Sequence, residues 1–92
     1  MIEKLDGARV LMLSEKGCFG YLEIQGQKKH RYIDISYLAI CQYDKSDKVY
    51  LFLCNKNMEV ENDWEFDHIE EAISNAQSRS QFPIVWLYPN NT

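Results

Sequence analysis

A chain of 92 residues with a formal net charge of −4 is long enough for one domain with a cooperative core and too short for two. Its hydrophobic content of 46% excludes global disorder, and no apolar run approaches the roughly 18 residues that cross a membrane. The N-terminus lacks the cationic start and continuous apolar stretch of a signal peptide, so we expect a cytoplasmic protein.

The first half of the sequence predicts β-strands. Residues 8–14 (ARVLMLS) and 18–25 (CFGYLEIQ) are typical of two strands, which a turn at EKG joins into a hairpin. The polar GQKK then leads into a long extended segment, residues 30–43, whose side chains alternate between two faces. One of these faces changes from polar to apolar along the segment, so we expect a bend or a partly covered surface there.

The second half predicts further strands. DKSD, residues 44–47, is a turn between two β-rich segments. Residues 48–55 (KVYLFLCN) are apolar on both faces, which is typical of a strand in the middle of a sheet. After the break at NKN, residues 58–66 (MEVENDWEF) form an acidic strand, and residues 84–88 (IVWLY) form a final strand.

One helix is predicted at about residues 67–79. Asp67 is the expected N-cap, with Glu70 completing a capping box, and Arg79 lies near the end, where a cation complements the helix dipole. Helical spacing places four apolar residues in one stripe: Ile69, Ala72, Ile73 and Ala76. We therefore predict a single α+β domain over residues 1–92. Its sheet is largely antiparallel, with about five or six strands, and the helix packs on one face.

Negative charge is concentrated in residues 58–71, which carry seven of the 14 acidic residues and no lysine or arginine. The remainder of the chain carries a net positive charge. Alternation places one set of side chains on one face of the acidic strand (Glu59, Glu61, Asp63, Glu65) and another on the opposite face (Met58, Val60, Trp64, Phe66). Such a concentration of charge attracts cationic partners and disfavours nucleic acids and anionic membranes.

Several interpretations of the acidic strand stay open. It is a solvated edge whose charges prevent pairing with other chains, a docking surface for a basic protein, or a carboxylate site for a metal ion or for catalysis. An antiparallel edge is also able to pair two copies of the chain in a homodimer. We expect Trp64 and Phe66 to anchor the strand to the core. An exposed Trp64 would instead be a hot spot for a lysine- or arginine-rich partner.

The chain has three cysteines: Cys18, Cys41 and Cys54. No two of them form a CxxC pair, and two lie in apolar segments, so we expect buried, reduced thiols. Neither His30 nor His68 has the spacing from a cysteine that a zinc site needs. His30 belongs to a solvated basic turn, residues 28–31, and His68 is expected at the surface. We expect no metal, no cofactor and no catalytic residue.

Residues 14–27, SEKGCFGYLEIQGQ, resemble the RNA-binding signature of cold-shock domains, and RYIDIS is similar to the second aromatic strand of that family. The resemblance implies binding of single-stranded nucleic acid. In that family pattern Lys16 would contact phosphate. The stacking aromatic residues would be Phe19, Tyr21 and Tyr32.

The second half of the sequence, from YLAICQYDKSDKVYLFLCN to DWEFDHIEEAISNA, resembles the small acidic immunity proteins encoded beside bacterial polymorphic and contact-dependent toxins. The resemblance implies a tight, stoichiometric complex with a cognate toxin, often a cationic nuclease. We therefore expect a non-enzymatic protein that binds a toxin or other basic protein, with nucleic-acid binding as the alternative. The expected partner-binding residues are Glu59, Glu61, Asp63, Trp64, Glu65 and Glu70.

Overall fold

The structure is a computed structural model that describes residues 2–26 and 30–89. Residues 27–29, which hold most of the predicted GQKK turn and half of the basic turn at residues 28–31, lie outside the described residues. The other half of the predicted basic turn, His30 and Arg31, begins a strand instead. The elements of the described chain are, in order, β1 (Lys4–Leu5), β2 (Ala8–Ser14), β3 (Tyr21–Gln25), β4 (His30–Asp34), β5 (Tyr37–Gln42), β6 (Val49–Cys54), β7 (Val60–Phe66), α1 (Ile69–Gln77) and β8 (Trp86–Leu87).

Six strands form one curled antiparallel sheet with the order β1-β2-β5-β6-β7. The short β8 pairs with the end of β2, along the same edge as β1. The predicted α+β fold with a largely antiparallel sheet and one helix is thus confirmed. β6 lies between β5 and β7, as its apolar residues on both faces predict. Its residues Leu51, Phe52 and Leu53 are no more than 1% exposed.

The predicted hairpin between residues 8–14 and 18–25 is wrong. β2 pairs with β5, and β3 pairs with β4 in a separate two-stranded sheet. The chain between β2 and β3 does not reverse in a tight turn, because the N–H groups of Gly17 and Phe19 donate to backbone carbonyls at residues 35–36. The last three residues of β2 are buried, and the exposed side chains of β3 are unsuited to cover such a strand.

The extended segment of residues 30–43 is divided into β4 and β5, and the predicted bend is confirmed. Two buried residues at the junction, Ile35 and Ser36, carry the chain from the hairpin to the main sheet. The Ile35 N–H donates to the Gly20 carbonyl, whereas the Ser36 N–H donates to the Cys54 carbonyl. These hydrogen bonds hold the β3–β4 hairpin against the end of β6.

Two hydrophobic clusters occupy the two faces of the sheet. Successive residues of β6 alternate between them, as strand geometry requires: Leu51 and Leu53 face the helix, whereas Phe52 and Cys54 belong to the cluster on the other face. On the helix, Ala72 and Ala76 are fully buried in the first cluster, and Ile69 and Ile73 pack beside them. The predicted apolar stripe of the helix is therefore confirmed, and its small alanines allow close approach to the sheet.

The helix, Ile69–Gln77, begins and ends inside the predicted range of residues 67–79. Its N-cap is His68, whose backbone N–H donates to Glu71 Oε1 at 3.1 Å, so the predicted capping box is displaced by one residue. Asp67, the predicted N-cap, instead forms an ion pair and hydrogen bond with Lys48, which lowers the pKa of the Asp67 carboxyl. In the described part of the chain, no helix is long and apolar enough to cross a membrane.

Candidate partner-binding surface

Strand β7 lies at one border of the described sheet and pairs with β6 alone. Its register contains one irregularity. Leu53 of β6 pairs with Asn62, but the next residue, Cys54, pairs with Val60, so Glu61 is an extra residue on β7. Such a β-bulge shifts the alternation of side chains along the strand by one residue.

The predicted division of residues 58–66 into one apolar and one acidic face is therefore wrong. Met58 and Val60, before the bulge, pack against the cluster on the face away from the helix, whereas Phe66, after the bulge, packs against the helix-side cluster. The predicted row of four carboxylates is divided by the same shift. It becomes two pairs, Glu59 with Glu61 and Asp63 with Glu65.

Asn55 binds the first pair of carboxylates. Its Nδ2 donates to Glu59 Oε1 at 3.0 Å and to Glu61 Oε2 at 2.6 Å. Its Oδ1 accepts the backbone N–H groups of Asn57 and Glu59, so one side chain organises the whole turn between β6 and β7. The sequence pattern marked NKN only as a strand break and missed this role. Both carboxylates are therefore part of the turn and only partly available to a partner.

The second pair of carboxylates is more open. Asp63 and Glu65 are both exposed, and they lie opposite Phe52 and Tyr50, on the face of the sheet away from the helix. The Tyr50 hydroxyl donates to Glu65 Oε1 at 2.7 Å. This hydrogen bond raises the pKa of the Tyr50 phenol, because a carboxylate acceptor stabilises the protonated hydroxyl. Glu65 is thereby held in place while its side chain remains exposed.

Trp64 projects from the other face of β7, and it does not anchor the strand. Its side chain is 49% exposed, while Phe66 alone packs on the core. The Arg79 guanidinium lies 5.9 Å from the Trp64 ring centroid, a cation–π arrangement, and Arg79 Nε donates to Asn75 Oδ1 at 3.1 Å. The expectation of a core-anchoring Trp64 is thus wrong, and the alternative of an exposed aromatic holds. The ring already receives one cation of the chain itself.

Glu70 lies in the first turn of α1, beside Phe66 in a shallow groove along the helix. The six predicted partner-binding residues therefore surround the outer side of β7 rather than share one face. We call this surface the β7 border. Its members are Glu59, Glu61, Asp63, Trp64, Glu65 and Glu70.

The aromatic residues of the alternative function are separated by the fold. Phe19 is 7% exposed and belongs to the helix-side core cluster, so its ring is not available for stacking. Tyr21 and Tyr32 are 62% and 61% exposed, and their rings contact edge to face with centroids 5.2 Å apart. The register places Glu23 opposite Tyr32 and Asp34 opposite Tyr21, on the same face of the hairpin. A nucleic-acid phosphate would therefore meet two carboxylates there.

The thiols and the described histidine have simpler surroundings. Cys41 and Cys54 are buried as expected, and burial raises the pKa of both thiols to about 12, whereas Cys18 is exposed, contrary to expectation. His68 is exposed, as predicted. Within residues 2–26 and 30–89, no group of three or more histidine, cysteine, aspartate or glutamate side chains is arranged to hold a metal ion.

Comparisons with protein-family models, with curated proteins and with solved structures find no match to this chain. A functional assignment therefore has to come from the chain's own residues. Two features of the β7 border are the basis for such an assignment: the exposed carboxylates of Asp63 and Glu65, and the exposed ring of Trp64.

Proposed function

We propose that the protein is a non-enzymatic binding protein whose β7 border docks a basic protein, and that it serves as an immunity protein that neutralises a cognate toxin in the bacterial cytoplasm. Its main support is that a border strand exposes Trp64 on one face and two carboxylates, Asp63 and Glu65, on the other. Aromatic residues with large accessible area are typical binding hot spots, and carboxylates beside them select lysine or arginine.

The distribution of charge supports a cationic partner. Same-face residues two apart on a strand are separated by about 7 Å, which is less than the screening length of about 8 Å at physiological ionic strength. Asp63 and Glu65 therefore act together on an approaching cation, and the rest of residues 58–71 adds no positive charge. Fields of this kind accelerate association by about 10-fold to 1,000-fold and weaken as salt is added.

Solvent exposure of Asp63 and Glu65 also favours binding over catalysis. A carboxyl that acts as a general acid at neutral pH is typically kept protonated by burial in a site of low dielectric. Exposed carboxylates are accessible to a partner and serve as charged contacts. Stoichiometric neutralisation of a toxin requires only such contacts and a well-packed scaffold.

Binding of single-stranded nucleic acid has weaker support. It requires stacking aromatics beside cations, and the chain provides Tyr21 and Tyr32 with the nearby cations Lys16 and Arg31. Burial of Phe19 removes one platform of the three, and two carboxylates share the tyrosine face. Saturable binding of a fluorescent oligonucleotide at low salt would favour this alternative over the immunity protein.

The test begins with the immobilised protein and a lysate of its source organism. A basic protein retained in one-to-one stoichiometry is then purified, and its dissociation constant is measured by titration calorimetry. We expect the double variant Asp63→Lys/Glu65→Lys to bind at least 10-fold more weakly, a loss of about 1.4 kcal/mol or more. Glu61 is left unchanged, because a lysine there would break the partly buried hydrogen bond from Asn55, which organises the turn before β7. By contrast, Glu65→Lys removes only the exposed hydrogen bond from Tyr50.

The matched control is Glu3→Lys/Glu15→Lys. It changes the net charge by the same amount at exposed positions beside β1 and after β2, on the far side of the sheet from β7. We expect its affinity to stay within about threefold of the unmodified protein. Equal losses in both double variants would mean that only overall charge matters and would remove the β7 border as the site. Failure to retain any basic protein would refute the proposed function.

A further inference from the structure

Among the described residues, no strand pairs with the outer side of β7. The Asp63 N–H donates to Asn62 Oδ1 at 2.9 Å, so this N–H points away from β6. Antiparallel partners alternate between hydrogen-bonded and non-hydrogen-bonded pairs, and the Asp63–Phe52 pair is then of the second kind. By the same alternation, the N–H and C=O of Glu65 also face outward. The outer side of β7 is therefore a strand edge.

The Asn62 side chain satisfies the outward-facing N–H of Asp63, which no neighbouring strand binds among the described residues. Its side-chain oxygen takes the place that a carbonyl of a neighbouring strand would occupy against the Asp63 N–H. Asn62 is exposed, and within residues 2–26 and 30–89 its side chain makes no other hydrogen bond that would hold it in place. The hydrogen bond is therefore a removable cap, which keeps the edge satisfied in the free protein and releases it to an incoming strand.

We propose that the outer edge of β7 binds an extended, lysine- or arginine-rich segment of the partner by strand addition, with Asn62 as the removable cap. The inference rests on the proposed function and specifies how the partner binds. An added strand lies about 4.8 Å from β7, and its alternate side chains point to the two faces of the sheet. Cations at alternate positions would reach Asp63 and Glu65, and the intervening residues would cover Trp64 on the other face.

The same charges disfavour a second copy of this chain as the occupant. Antiparallel pairing of two β7 strands about their exposed centre would place Asp63 of one copy opposite Glu65 of the other. Like charges directly opposite each other destabilise an antiparallel pair. Charge complementarity therefore selects a basic strand and rejects a homodimer through this edge at neutral pH.

The test uses a synthetic nine-residue peptide that alternates lysine with valine, and a control peptide with glutamate in place of lysine. Two variants of the full chain distinguish the contribution of the backbone N–H to peptide binding from that of the carboxylate charge. Asp63→Ala removes the carboxylate and keeps the outward N–H, whereas Asp63→Pro removes both, and proline is tolerated where the N–H of an edge strand faces solvent. We expect Asp63→Pro to bind the lysine peptide at least 10-fold more weakly than Asp63→Ala, and the glutamate peptide not to bind.

Amide hydrogen exchange of the unmodified protein gives a second readout that does not depend on the folding of the proline variant. We expect the lysine peptide to slow exchange of the Asp63 and Glu65 amides by at least 10-fold and to leave the amides of β2 unchanged. We also expect Asn62→Ala, which removes the cap, to bind the peptide several-fold more tightly. Unchanged exchange at these two amides, or equal binding by the alanine and proline variants, would overturn strand addition.

The two proposals fail separately. If Asp63→Lys/Glu65→Lys loses the natural partner but Asp63→Pro and Asp63→Ala bind that partner equally, contacts are made by side chains alone, and only strand addition is refuted. If the lysine peptide protects the edge but no basic partner exists, only the toxin-neutralising function is refuted. Self-association of the free chain at neutral pH, lost in Asp63→Pro, would assign the edge to a second copy and overturn the inference.

Discussion

A buried hydrogen bond from a strand amide to a serine side chain gives the sharpest stability prediction. Ser14, at the end of β2, is 1% exposed, and its Oγ accepts the N–H of the fully buried Leu38 on β5 at 2.9 Å. The backbone pairing between β2 and β5 stops one residue earlier, at Leu13 and Ala39, and Ser14 itself pairs with β8. The hydroxyl therefore completes the β2–β5 contact where the backbone ladder no longer does.

Substitution of Ser14→Ala leaves the Leu38 N–H buried without an acceptor. An orphaned buried donor costs about 1–3 kcal/mol of unfolding free energy, and each 1 kcal/mol lowers the melting temperature of a domain of this size by about 4–8 °C. Urea unfolding followed by circular dichroism measures the loss. Two-state analysis is appropriate for one small domain.

The control is Ser36→Ala, at a second buried serine. Among the contacts of the described residues, the Ser36 side chain is not the acceptor of any buried backbone N–H, so we expect its loss to stay within about 0.5 kcal/mol. A Ser14→Ala protein no less stable than Ser36→Ala would refute the reasoning, because the Leu38 amide would then have found another acceptor.

Two further predictions concern ionisable side chains. At pH 8 a thiol with a pKa of about 12 is ionised in roughly one molecule in 10⁴, so Ellman's reagent should modify Cys18 rapidly in the folded protein and reach Cys41 and Cys54 only on unfolding; three fast thiols would contradict their burial. Glu65→Gln should lower the pKa of Tyr50, as measured by the shift of its ring resonances with pH. Because the folded pKa is raised, the bond to Glu65 stabilises the fold below the ordinary tyrosine pKa and loses its effect as pH rises through the raised value, so an unchanged Tyr50 titration in Glu65→Gln would exclude the bond.

Local patterns predicted the elements well, because periodicity is a property of neighbouring residues. The all-apolar run around Leu51–Leu53 predicted an interior strand, and the spacing of Ala72 and Ala76 predicted the buried stripe of a helix. The helix does not begin with Asp67 as its N-cap, because Asp67 contacts a residue that is distant in the sequence. Lys48, nineteen residues away from Asp67, takes the carboxylate that would otherwise cap it.

Such local patterns could not predict which strands pair with each other. Adjacent strand-like segments favoured a hairpin between residues 8–14 and 18–25, but burial of β2 required the apolar β5 as its neighbour. Phe19 illustrates the consequence for function. In a local hairpin its ring could be exposed beside Tyr21, whereas in the actual connection its backbone binds to the β4–β5 junction and its ring enters the core.

The candidate site was predicted by composition but not by arrangement. All four carboxylates between residues 59 and 65 belong to the β7 border, yet the bulge at Glu61 divides them into a pair bound by Asn55 and an open pair. One signal was visible in the sequence, since Asn62 interrupts the apolar alternation immediately after the bulged residue. A single polar residue is consistent with either face, so only the register with β6 could assign it.

Protection from aggregation and recognition of a partner would both explain the exposed acidic residues of β7. The exposure of Trp64 distinguishes between these two explanations. An edge strand that serves only to remain unpaired is best built from charges and small polar residues, and a large exposed aromatic on it would oppose that purpose. Trp64 is half exposed, although the Arg79 guanidinium lies 5.9 Å from its ring centroid. A protective edge would gain solubility by replacing this residue. An accessible tryptophan on the same strand as Asp63 and Glu65 suits the docking surface proposed above, and it is the reason that we propose recognition of a partner and not protection alone.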